Sequence, residues 1–357
     1  MVPQYLQTIA AALSVSLLQF PPAAASPVSA SAALTHVQET LTNTTATNTS
    51  VPASSAVPWS LVHSYAGSSF FDGWDFFNKT DPTGGLVAYQ NRSAAESKGL
   101  AYVNSNGQAV IKVDSDSDLP LGTNRSSVRI ESQKHYYDGM VVWDIEKTPY
   151  GCAVWAACWM NSRSNGNTAG GEFDVIEQVG DSPTSAATLH TNPGCTTSNS
   201  TPEHPFSGEL TRTSCATADG GCGIIDGNST FPEYGSAFNN QSGGVYVSRF
   251  DSTGFYVWVF PRDRVPLDIT SGTPQPDTWD QVPAAYFSTE SCEYSEYFSG
   301  NQKLIINITL GGEWAGEGYG ERTQAGCPGT LDERVMTGKN FETAQWVFNS
   351  IKVYRQR

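Results

Sequence analysis

GGEFDVIEQVG, residues 170–180, sets three carboxylates, Glu172, Asp174 and Glu177, among apolar neighbours. Phe173, Val175 and Ile176 read as a buried strand. A carboxylate is costly to bury unless something pairs with it or uses it. The stretch is therefore either a solvated acidic strand face or an active site. Side chains alternate along a strand, so Glu172 and Asp174 share one face while Phe173 and Val175 point into the core. Strict alternation would leave Ile176 on the carboxylate face and Glu177 in the core. One extra residue, a β-bulge at Val175–Ile176, returns Glu177 to the face of the other two, and bulges recur beside active sites.

The bulged strand has a chemical consequence. Cα atoms four strand positions apart lie ~13 Å from one another. Glutamates leaning inward can bring their carboxyls to roughly 5–6 Å, close to the ~5–5.5 Å between nucleophile and acid/base of a retaining glycosidase. Inverting enzymes need a wider gap for water. Three like charges so close cannot all ionise easily, so at least one pKa should rise, as a general acid requires near neutral pH.

Outward from this strand, eight further segments have the same character: 126–132, 139–147, 152–159, 185–191, 244–251, 254–261, 303–310 and 346–354. They are short, rich in Val, Ile, Tyr, Phe and Trp, and bounded by Gly, Pro, Asn or Asp. No long stretch has helical period. Nine such strands without an intervening helix predict an all-β sandwich of two antiparallel sheets. The chain has 357 residues, 39% of them hydrophobic and 11% aromatic, enough for one large all-β domain. Its formal net charge of −15 argues against nucleic acid or anionic membrane as a partner, since both need a basic patch. An uncharged substrate is compatible with it.

The amino-terminal part reads differently. Ile9–Phe20 is apolar but too short to span a bilayer, and Pro21-Pro22 followed by Ala23-Ala24-Ala25 ends it. Residues 1–25 are expected to be a signal peptide, although no Lys or Arg precedes the apolar run, and a retained anchor is the competing reading. Residues 26–57 are rich in Ser, Thr, Ala and Pro and read as a disordered, glycosylated linker. The domain that matters is then 58–357. Its last strand ends too near the carboxyl terminus to leave a hydrophobic GPI signal. Nine Asn-X-Ser/Thr acceptors, at Asn43, Asn48, Asn78, Asn91, Asn124, Asn199, Asn228, Asn240 and Asn307, suit a secreted glycoprotein. So do seven cysteines without metal-like pairing, which suggest disulfides. Seven is odd, and Cys158, inside the apolar run AVWAACWM, is the expected buried free thiol.

The motif in its E-x-D-x-x-E form resembles the signature of glycoside hydrolase family 16, in the laminarinase-like branch. The resemblance extends to SYAGSSFFDGWDFF (64–77), LAYVNSNG (100–107), SVRIES (127–132), PYGCAVWAACW (149–159), TLHTNPGC (188–195), WVFPR (258–262) and ITLGGEWAG (308–316), in the order found in fungal secreted endo-β-1,3(4)-glucanases. It implies a jelly-roll sandwich with a substrate cleft across a concave sheet. Glu172 would be the nucleophile, Glu177 the acid/base and Asp174 a partner tuning Glu172. His190 would line the cleft; from the residue alone a satisfied structural histidine is the plainer reading. Trp155 and Trp159 share a strand face, and core packing is the common fate of Trp, but the family makes them a sugar platform. Trp258, Arg129, Trp314 and Glu313 are further candidates to hold sugar rings and hydroxyls.

Two departures stand out. The loop 161–171 carries Asn165 and Asn167 where relatives often have an aromatic. Gly311 stands where relatives often have Cys, which makes Cys327 a second candidate free thiol. The expected partner is a β-glucan polysaccharide, met by a secreted monomer with no cofactor, no metal, no nucleic acid and no membrane. A glucan transglycosylase of the same family would use the same residues. A non-catalytic glucan-binding sandwich would have lost one of the two glutamates, and both are present.

Overall fold

The computed structural model describes residues 57–162, 170–225, 231–321 and 324–356. The signal-peptide reading, all but the last residue of the linker, Asn165, Asn167 and the acceptors Asn43, Asn48 and Asn228 lie outside them.

Two eight-stranded antiparallel sheets face each other across one large apolar core. The first runs β12 (Glu209–Leu210), β13 (Cys222–Ile225), β11 (Ala186–His190), β10 (Glu172–Gly180), β9 (Gly151–Asn161), β17 (Lys303–Leu310), β7 (Arg129–Ser132) and β2 (Trp74–Phe76). The second runs β16 (Ala285–Phe287), β15 (Gly254–Pro261), β14 (Gly244–Asp251), β8 (Gly139–Lys147), β18 (Gln345–Gln356), β5 (Ala109–Lys112) and β4 (Ala101–Val103), with β1 (Trp59–Ala66) also pairing with β18. A parallel pair, β3 (Val87–Tyr89) and β6 (Arg125–Ser127), stands apart. Helices among the described residues are short, the longest seven residues, and include Gly312–Ala315. No helix among the described residues is long and apolar enough to cross a membrane.

The nine strands expected from sequence all form, and four of them, 139–147, 244–251, 254–261 and 303–310, keep the same bounds. The segment 126–132 splits into β6 and β7, which pair with different neighbours. The strands that sequence missed are mostly two to four residues long, too short to show alternation; the eight-residue β1 is the exception.

The bulge forms where alternation demanded it. On β9, Asp174 pairs with Trp159 and Ile176 with Cys158, leaving Val175 unpaired. Val175 and Ile176 both enter the core, at 1% and 0% exposure, and Glu177 turns back to the outer face.

Cys152 pairs with Cys327, Cys195 with Cys292 and Cys215 with Cys222. Cys158 is the free thiol, buried beneath the bulge. Cys327, the other candidate, is therefore not free: the turn after Gln324 brings it to the start of β9, where Gln324 also accepts from the Ala153 amide.

Trp258 is the second correction. It belongs to β15 of the other sheet and points away from the shared core, into a cluster with Trp59, Val247, Phe260 and Ile269 that Trp279 covers edge-on. The first sheet carries the cleft, so Trp258 is a packing residue.

Candidate active site

Residues directly opposite one another on neighbouring strands share a face. One row across the first sheet runs Arg129, Asn307, Ala157 and Glu177; the next runs Glu131, Ile305, Trp159, Asp174 and Thr188. Glu172 pairs with both Asn161 and His190. These rows line a cleft of about 370 Å³ that brings together Glu172, Asp174, Glu177, His190, Trp155, Trp159, Arg129 and Glu313. Trp314 stands edge-on to Trp155 with ring centroids 5.9 Å apart, and lines an adjoining cavity of about 370 Å³ that shares Glu313. Of the site residues expected from sequence, Trp314 stands in this adjoining cavity and Trp258 on the other sheet; the rest meet in the cleft.

Each carboxylate has its own partner. The Asn161 amide donates to Glu172 Oε2. His190 Nε2 lies 3.3 Å from Asp174 Oδ2. The Trp155 indole N–H donates to Glu177 Oε1 at 2.9 Å. Burial raises all three pKa values. Glu172 is pushed up to about 7 by burial and the charge of Asp174, against the pull of His190, the Asn161 bond and Arg129. Burial alone takes Asp174 to about 8. Burial and then Asp174 take Glu177 to about 8, against the Trp155 bond and His190. The three carboxyls therefore cannot all be ionised together near neutral pH, and at least one of them holds a proton there, as the acid of a retaining mechanism must.

The platform around them is rigid. Arg129 is layered between Phe77 and Trp159, 4.4 and 4.9 Å from their ring centres, and its guanidinium donates twice to Glu131. The Trp159 indole donates to Asn307, whose amide donates in turn to Tyr89. Sequence reasoning missed Asn161, Asn307, Glu131, Phe77 and Asp81. Asp81 is buried at the cleft wall, accepting from Thr83 and Thr309. A Cβ on Gly85 would meet Thr309 Oγ1 at 1.9 Å and Asp81 Oδ2 at 2.3 Å, so only glycine lets the backbone pass this pair. Asn307 was visible only as a glycosylation acceptor. Its side chain is spent inside the cleft, whereas Asn78, Asn91, Asn124, Asn199 and Asn240 are exposed.

Among the described residues, the cation-ligating atoms of Glu172, Asp174 and His190 lie within 4.8 Å of one another. The same closeness is what carboxylates need to pass protons and share charge, and Glu177 completes the set on the same strand.

A model of the XgeA-like, catalytic GH16 domain matches residues 74–354. The chain belongs to glycoside hydrolase family 16. A probable endo-1,3(4)-beta-glucanase of Aspergillus clavatus is 36% identical to this family 16 chain over 83% of its length and 46% of the relative's. The chain thus spans about half the length of that relative. Laminarinase 16A of Phanerochaete chrysosporium, solved with two β-glucans in its donor and acceptor sites, is 33% identical, with a TM-score of 0.76 over 83% of this chain and 99% of that one. An elongating family 16 β-1,3-glucosyltransferase is 30% identical, with a TM-score of 0.74 over 83% of this chain and all of that one. These likenesses fit the two antiparallel sheets, and the family is one of retaining glycoside hydrolases.

Proposed function

We propose that the protein is an endo-β-glucanase cleaving β-1,3 or mixed β-1,3/1,4-glucans with retention. The observation that carries the reading is the bulged strand β10, which presents Glu172, Asp174 and Glu177 to one cleft. Ionised Glu172 attacks the anomeric carbon. As the C1–O bond breaks, Glu177 gives its proton to the departing oxygen, which leaves as an alcohol. Water then adds to C1, giving its proton to Glu177 and freeing Glu172. Asp174, beside Glu172 and His190, holds charge and proton between them. Trp159, stacked on Arg129, offers an aromatic face to a glucose ring, and Asn307, Asp81 and Glu313 offer partners for hydroxyls.

The same proposal holds that residues 1–25 direct export, 26–57 form a linker and 58–357 form the catalytic domain, and that the enzyme works as a secreted monomer. Three disulfides and five exposed acceptor asparagines support secretion.

The test is product analysis on laminarin, lichenan and cellulose with wild type and Glu172→Gln. Short oligosaccharides are expected from laminarin or lichenan, with the variant down by at least ~10³-fold. Undiminished activity in Glu172→Gln sinks the assignment. The likeness to the elongating glucosyltransferase favours one second reading, transglycosylation; products longer than the donor would select it.

A further inference from the structure

We infer that Trp155 is a positioning residue for the acid/base: its indole N–H occupies one oxygen of Glu177 and favours the other as the oxygen that carries the proton to the glycosidic bond. The inference rests on Glu177 being the acid/base. Indole nitrogen is a donor only, with no lone pair to offer. The oxygen it meets, Oε1 at 2.9 Å, must therefore accept, and since a carbonyl oxygen accepts better than a hydroxyl oxygen, the bond favours the acid form with its proton on Oε2.

The ring that carries the N–H is clamped. Trp314 meets it edge-on at 81° between ring planes. On another side the backbone of Gly312, at φ +74°, comes so close that a Cβ would lie 3.3 Å from Cζ3 of Trp155 and 2.8 Å from the Thr83 carbonyl. Trp155 itself pairs with Val179 on β10 and Thr309 on β17, so its strand position is fixed from both sides. The donor is thus preorganised for both protonation states and strengthens once the carboxylate is charged.

Other groups also act on Glu177. Asp174 and Glu172 lie on its own strand, and His190 stands on β11. Tyr234 interacts with it from the core, and Glu313 lines the same cleft. None of them donates the bond that Trp155 does.

The test compares wild type with Trp155→Phe and with β-(3-benzothienyl)alanine at position 155, which keeps the shape of the ring but has no N–H. Each is assayed on laminarin and on a dinitrophenyl β-laminaribioside, whose leaving group needs almost no proton. Both variants should lose about 10–100-fold in kcat on laminarin and under about threefold on the aryl glycoside. KM should hold, and the alkaline limb of kcat should move to higher pH, because a bond that favours the charged carboxylate is gone. Equal losses on both substrates, or a rise in KM alone with the limb unmoved, would make Trp155 a sugar platform and overturn the inference.

A readout independent of activity accompanies the kinetics. In ¹⁵N-indole spectra the Trp155 N–H resonance should shift as Glu177 titrates, and this shift should vanish in Glu177→Gln. A titration unchanged in Glu177→Gln overturns the pairing. A wild type inert on both substrates overturns the hydrolase reading instead, while the spectra still decide the pairing.

Discussion

Strands β10 and β15 both alternate, and both send aromatic side chains into the same core, where Phe173 and Phe255 meet edge-on at 5.2 Å. Their outer faces do opposite things. On β10 that face carries Glu172, Asp174 and Glu177 into an open cleft. On β15 it carries Tyr256, Trp258 and Phe260 into a second apolar cluster, closed over by Trp279 and Ile269. Alternation tells which residues share a face. It does not tell what will cover that face, because the cover comes from residues far away in sequence. Here the segment 262–279 supplies the cover for β15, while among the described residues Glu172–Glu177 face the cleft.

The sharpest way to break the comparison is to exchange large for small on each outer face. Trp258→Ala should cost about 3 kcal/mol of stability by leaving a cavity under Trp279, with kcat and KM per folded molecule unchanged; thermal melts and active-site-normalised kinetics check both halves. Trp159→Ala should do the reverse. Its expected effect is a rise in KM of roughly 10–30-fold on glucans, with a smaller loss of stability because the ring is partly open to solvent, resting on Arg129 and bonded to Asn307. If Trp258→Ala damages KM as much as Trp159→Ala, the two faces are not as distinct as their cover implies.

A smaller effect sharpens the contrast between a face built for function and one built for packing. Glu177 has a pKa near 8 in the folded protein against an ordinary 4.5. The folded state thus holds a proton that the unfolded chain releases. Its stabilising contribution is complete below pH 4.5 and is lost as pH rises toward 8. Glu177→Gln stays neutral and can still accept from Trp155. It should raise Tm by about 3–6 °C at pH 8, with the gap closing by pH 4, as calorimetry across that range would show. A gap that did not change with pH would mean that ionisation is not the source. No such gain is available on the β15 face, which has no ionisable group to neutralise among Trp258, Val247 and Phe260.

The legible part of this molecule was what short-range spacing controls. The nine longer strands, the bulge and the shared face of the three carboxylates follow from alternation and from the cost of a buried charge. The free thiol followed from an apolar run around Cys158. What stayed hidden depends on register between distant strands. Asn307 looked like a glycan acceptor because nothing in Asn-Ile-Thr reveals that β17 will lie beside β9 and turn its amide toward Trp159. Asp81, in TDPTGG, gives no sign in the sequence that Thr309 will arrive beside it. Cys327 lies 175 residues from its partner, a distance over which composition says nothing. Trp258 was misplaced for the same reason: the strand was right, and its sheet was not.

Cys158 sits under the bulge, opposite Ile176 on one side and Ile306 on the other, and burial raises its pKa well above the ordinary thiol range. A thiol so placed meets a reagent only when the core beneath β9 comes open, by the sheets parting or by β10 or β17 leaving β9. Its labelling rate therefore counts those openings. The protein carries its own clock for breathing under the strand that bears its three carboxylates.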